Sequence, residues 1–189
     1  MKKGLLAGLL LLYPLAVYFG LQFSEPAFVG GIFAAVLLLR HWLIKGSSAT
    51  IPHLHIVTLC GVCLLLFATF ANSALALKFY PVVITSCFFA VFAYSLYKPP
   101  SIIEIIAGKF EVLDTQGKNY TRKVTKVWCV FFVINGLIAT ATVFHPDPKV
   151  WLTYNGLISY LLMGLLMLAE LIIRKWQKAK NKAHEMADQ

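Results

Sequence analysis

Cys60-Gly61-Val62-Cys63 comes nearest to a chemical motif in this chain. On a helix, a spacing of three sets both sulfurs on one face, where they could pair with each other or exchange electrons with a quinone. No neighbouring cation is present to hold a thiolate, and cysteine is also an ordinary small apolar residue of packed helices. Packing is therefore the simpler reading, and with no His following the pair it is not a haem attachment site. His41, His53 and His55 gather in one stretch and could hold zinc. Their spacing lacks the His-x-x-x-His pattern that sets two ligands on one face, and no carboxylate completes a set, so histidines satisfied by water are expected.

Glu170 lies in an apolar run, which by default marks a functional group, although Arg174 stands four residues on and permits an ion pair. Asn135-Gly136-Leu137-Ile138 is echoed by Asn155-Gly156-Leu157-Ile158. A small residue beside an amide lets helices approach and bond across the contact, so two such steps read as a packing device. The sharper reading is a polar path that Tyr154 and Tyr160 help to line, with Asn135, Asn155, Tyr80 and Glu170 as its candidate centre. The chain shows no P-loop, no G-x-S-x-G, no H-E-x-x-H and no Asp-rich metal motif. No catalytic residue, cofactor site or metal site is assigned from it.

The elements that must carry these residues follow from composition. Of 189 residues, 59% are hydrophobic and 13% charged, and the mean hydropathy is +0.75; soluble domains carry about 25% charged residues. Six apolar blocks are each long enough for a helix to cross a roughly 30 Å hydrocarbon core. They span about 5–20, 26–44, 55–71, 79–97, 127–144 and 151–173. The expectation is an all-α, polytopic bundle of six transmembrane helices forming one integral membrane domain over 1–189. Lys2 and Lys3 before the first block also suit a cleaved signal peptide, but Pro14 interrupts it and no small-x-small site follows before Pro26, which favours a retained helix. All four cysteines, Cys60, Cys63, Cys87 and Cys129, fall inside predicted spans, so no secreted disulfide framework is expected.

Charge sets the orientation. Of the 17 Lys and Arg, only Lys78 and Lys149 fall on one side of a six-span layout. Positive charge is retained on the cytoplasmic face, so both termini are predicted to be cytoplasmic, in a bacterial inner membrane. The net charge of +9 is then a topology signal; anionic headgroups of the inner leaflet are its natural partners, and nucleic acid is not. Lys78 can snorkel to water on the outer side.

Between the fourth and fifth spans lies a cytoplasmic loop over 98–126. Pro99 and Pro100 stop the fourth helix, and Ser101 with Glu104 spells a capping box. Ile102, Ile103, Ile105, Ile106 and Phe110 then predict a short interfacial helix between helices 4 and 5. It either docks something or merely connects its neighbours. Ser101, Glu104, Arg122 and Lys123 are the candidate docking or lipid-contact face, and a basic tail follows over 174–189. The formal sequon Asn119-Tyr120-Thr121 sits on the cytoplasmic side and carries no weight.

Several stretches resemble a known family. They are Leu77-Lys78-Phe79-Tyr80-Pro81, Phe92-Ala93-Tyr94-Ser95-Leu96, Lys98-Pro99-Pro100-Ser101-Ile102-Ile103-Glu104, Tyr120-Thr121-Arg122-Lys123-Val124-Thr125-Lys126-Val127-Trp128-Cys129, and Trp151 to Glu170. Together they are similar to a family of uncharacterised bacterial inner-membrane proteins encoded beside fatty-acid-like synthesis genes that make aryl polyene or related pigment lipids. The likeness covers residues 75–173; the first seventy residues match only in hydropathy. A remoter likeness is to the septation protein A family. The first resemblance implies a membrane accessory to such a pathway but names no catalytic residue.

Two expectations follow. The first is a non-enzymatic accessory that anchors lipid-biosynthesis enzymes or handles their lipid product through the basic inner face. The alternative is a membrane enzyme or a lipid or small-molecule transporter with its polar centre on helices 4–6. In that case Asn135, Asn155, Tyr80 and Glu170 should meet in one cavity.

Overall fold

The computed structural model describes residues 12–44 and 54–187. Among these, all regular structure is helical: α1 (Tyr13–Phe23), α2 (Pro26–Ile44), α3 (Leu54–Phe70), α4 (Ala74–Lys78), α5 (Tyr80–Tyr97), α6 (Ile102–Ala107), α7 (Thr115–Val143) and α8 (Pro148–Thr153), then a π-helical turn (Tyr154–Ile158) leading into α9 (Ser159–Ala187). Among the described residues four stretches are long and apolar enough to cross a membrane: Pro26–Leu43, Tyr80–Tyr97, Thr115–Val143 and Pro148–Arg174. Of the other two expected spans, α3 is apolar but has 17 residues, and α1 has 11. The segment before Leu12 lies outside the described residues, and so does His53.

Pro14 stands in the first turn of α1, where its missing N–H costs nothing, so it begins the described helix and does not break it. The fourth span is compound. Ser73 caps α4 by accepting from the Ala76 N–H at 3.2 Å, and Pro81 sits in the first turn of α5. A proline cannot donate to the carbonyl four residues back, here Leu77, and it bends the chain there. Helices from both ends of the protein reach this bend: the Tyr13 hydroxyl donates to the Leu77 carbonyl at 2.9 Å, and the Trp151 indole N–H donates to the Lys78 carbonyl at 3.0 Å. Both rings are 1% exposed. With Val17, Phe33, Leu37 and Leu65 they form the main apolar core.

α2 and α3 run tightly side by side. A Cβ on Gly30 would lie 2.7 Å from the Thr69 hydroxyl and 3.2 Å from the Leu65 carbonyl, so only glycine permits this approach. At the turn before α4, the Asn72 side chain accepts the Ala27 N–H at 2.9 Å, fixing the start of α2.

Much of the stretch over 98–126 expected to join the fourth and fifth spans is helical, and the short helix expected in it is α6. The capping box forms as expected, with Ser101 and Glu104 each bonding the other's backbone N–H. α6 packs onto the bundle through its first residue. Its Ile102 is buried with Val57 and Val91, and the Ile102 N–H donates to the Ser95 hydroxyl. α7 then begins at Thr115, well before the expected Val127, because Asp114 caps it by accepting from the Gly117 N–H at 2.7 Å. Thr121 and Thr125 turn their hydroxyls onto carbonyls of their own helix. α9 likewise continues through the basic tail, which is rich in the helix formers Lys, Ala and Gln.

Candidate functional site

α7 meets the last helical stretch at two places, and the polar residues singled out by sequence gather at the first. The Asn135 side-chain carbonyl accepts from the Tyr154 hydroxyl and the Ser159 hydroxyl, both at 2.9 Å. One turn away the Asn155 amide donates to the Thr142 hydroxyl and to the Trp151 carbonyl, both at 3.0 Å. All these side chains are buried. The π-helical turn makes the arrangement feasible: its bond runs from the Ser159 N–H to the Tyr154 carbonyl. The wider turn brings residues five apart onto one side, so Tyr154, Asn155 and Ser159 all face α7.

The two Asn-Gly steps therefore divide their labour. Their amides bond across the α7 seam, whereas their glycines serve other neighbours. A Cβ on Gly136 would lie 3.6 Å from Thr85 of α5, and one on Gly156 would lie 3.3 Å from Leu152 and 3.5 Å from Pro14 of α1. Tyr80 belongs to neither network. It packs against Tyr13, ring centroids 4.3 Å apart, and Tyr13 packs edge-on against Phe33.

The second meeting place is at the far end of the seam, where the Tyr120 hydroxyl donates to the Glu170 backbone carbonyl at 3.4 Å. Arg174 forms its ion pair with Glu111, on the connector before α7. The intrahelical Glu170–Arg174 pair suggested by their spacing is thus replaced by a bond to another element.

Between these two pins α9 stands away from α7, leaving two open-sided cavities in line. One, of about 220 Å³, is bordered by Tyr120, Lys123, Val127, Leu166 and Glu170 among others. The next, of about 240 Å³, is bordered by Phe131, Ile134, Asn135, Tyr154 and Leu162. The α7 residues recur every three or four positions, as one stripe of a helix does. The two cavities share no lining residue but follow one another along the same stripe of α7, and together they make up the α7/α9 cleft, mostly apolar, with Lys123 and Glu170 toward one end and Asn135 and Tyr154 toward the other.

A scan of protein-family models finds no match for this chain. Searches of curated proteins and of solved structures find none either.

The four candidate centre residues are not brought together. Asn135 borders one cavity, Glu170 borders the other, Asn155 bonds to Thr142 and Tyr80 lines neither cavity. On the candidate docking face, Ser101 and Glu104 are occupied with capping α6, and the Arg122 guanidinium donates to the Leu96 carbonyl at 3.0 Å near the end of α5. Lys123 remains exposed at the cleft. Cys63 is exposed and Cys60 is half-buried, with Cys60 within hydrogen-bonding reach of Cys87 on α5. Among the described residues no group of His, Cys, Asp or Glu is arranged to hold a metal.

Sequence reading missed Thr142, Ser159 and Tyr120. The first two are ordinary hydroxyl residues whose role depends on a π-helical turn that no residue pattern announces. Tyr120 falls on the same helical stripe as Val127, Ile134 and Asn135, a signal visible only once α7 is known to start at Thr115.

Proposed function

We propose that this chain is a six-span protein of the bacterial inner membrane with both termini cytoplasmic. In this reading it is a non-enzymatic accessory to aryl polyene or fatty-acid-like lipid synthesis, and its task is to handle a lipid at the inner leaflet. The observation that carries the reading is the apolar cleft between α7 and α9, which opens beside Lys123 and Glu170. A surface helix as apolar and exposed as α9, with Leu161, Leu165, Leu168 and Ile172 all outward, suits lipid as its surroundings. The separation of the four polar residues favours this reading over a membrane enzyme with a central polar site. The remaining basic charge of the same face suits anionic lipids and the docking of lipid-biosynthesis enzymes.

Two experiments test it. Single cysteines placed in a cysteine-free variant at 2, 98 and 185 are expected to be blocked only by reagents that reach the cytoplasm, and those at 25, 72 and 146 by impermeant reagent from outside. Any exchange between the two sets contradicts the six-span orientation. Lipid extracts of the host with and without the gene are expected to differ in an acyl or polyene lipid. Identical extracts contradict the pathway.

A further inference from the structure

We propose that the α7/α9 cleft holds one acyl chain of a zwitterionic aminophospholipid, its phosphate on Lys123 and its ammonium on Glu170. This rests on the reading above in one respect, that the Lys123 end of the cleft lies at the inner leaflet.

Length, lining and charge each point to this occupant. About 18 Å of helix separate Lys123 from Asn135 at 1.5 Å rise per residue, and one leaflet contributes about 15 Å of hydrocarbon. The walls between these residues are Val127, Trp128, Phe131, Ile134, Leu162 and Leu166, which offer a chain nothing but apolar contact. The inner end of the cleft is pinned by the Tyr120 hydroxyl on the Glu170 backbone, and the deep end by Tyr154 and Ser159 on Asn135. The gap between is open to the side, so a chain slides in laterally without either pin breaking.

The charged residues that line the mouth are Lys123 and Glu170, and Arg174 stands near Glu170 behind the lining. Arg174 is engaged with Glu111, and Lys123 makes no ion pair with any described residue. A head bearing only negative charge would meet Lys123 but be repelled by Glu170; one bearing phosphate and ammonium satisfies both. A second copy of the chain laid against α9 would instead bring another apolar stripe to this charged mouth.

The test uses the full chain in inner-membrane vesicles supplied with phosphatidylethanolamine or phosphatidylglycerol analogues carrying a photoactivatable diazirine in the acyl chain. Labelled peptides are then mapped by mass spectrometry. Label is expected at Val127, Ile134, Leu162 or Leu166, with the ethanolamine analogue favoured by about fivefold, the size one exposed ion pair supports. Glu170→Gln is expected to abolish the preference while keeping the label. Leu166→Trp, which fills the cleft, is expected to remove the label, and Leu161→Trp, the same enlargement on the exposed side of α9, to leave it. Label spread as densely over Leu59 of α3 and Phe89 of α5 would mean ordinary surrounding lipid and overturn the proposal. So would equal use of the two analogues, or α9-to-α9 cross-links in place of cleft label. If the cleft is labelled as expected but deleting the gene changes no lipid, the pathway reading fails and the cleft stands. The opposite pair of results removes the cleft alone.

Discussion

At the scale of single residues, the protein is held by polar groups that find partners across helices. Asn135 is the clearest case, since one carbonyl oxygen collects hydroxyls from two residues of the facing turn. Asn135→Leu leaves both hydroxyls without their acceptor in an apolar seam, at a cost of about 1–3 kcal/mol. The expected outcome is a lower midpoint of unfolding in detergent, measured by loss of helical circular dichroism in rising denaturant. An unchanged midpoint would mean that the bonds carry no stability. Trp151→Phe removes the donor to the Lys78 carbonyl and leaves part of a fully buried indole site empty, so a loss of about 2–4 kcal/mol is expected. The two asparagines could be singled out in the sequence because an amide in an apolar helix must find a partner. Their partners could not, because Ser159 and Thr142 resemble any other hydroxyl until the helix geometry is known.

Among the elements, the apolar runs marked the helices well and the polar stretches marked their ends poorly. Hydrophobicity sees only what lies in lipid, whereas the backbone of α7 stays helical from Asp114 onward through a turn rich in Lys, Arg and Thr. Ser101 and Glu104 were legible as a capping box because that motif is local in sequence. The bend at Pro81 was legible as a helix start but not as a junction, since its carbonyl partners Tyr13 and Trp151 are far away in sequence. α2 and α3 offer the sharpest test at this scale. Gly30→Leu drives a side chain into Thr69 and the Leu65 carbonyl, and overpacking of this kind costs about 1–3 kcal/mol. Gly31→Leu, whose added Cβ would meet only the Thr69 methyl at 3.9 Å, is expected to be tolerated, since the change also raises helix propensity. Equal effects at the two neighbouring glycines, read as yield of folded protein after detergent extraction, would contradict the close approach.

For the whole molecule, α1 to α5, α8 and the end of α7 build the core around the Pro81 bend and α7 packs along α5, while α9 is pinned to α7 at two points and parted from it between them. Charge on alternate connectors predicts an orientation, but a cleft arises from the divergence of two helices and has no sequence signature of its own. The most direct measurement is complementation in a host lacking the gene, with lipid extracts compared at matched amounts of inserted protein. Wild type and Leu161→Trp are expected to restore the acyl or polyene lipid, and Leu166→Trp to leave the extract as in the deletion. Full restoration by Leu166→Trp would show that the cleft plays no part in lipid handling and would contradict the account.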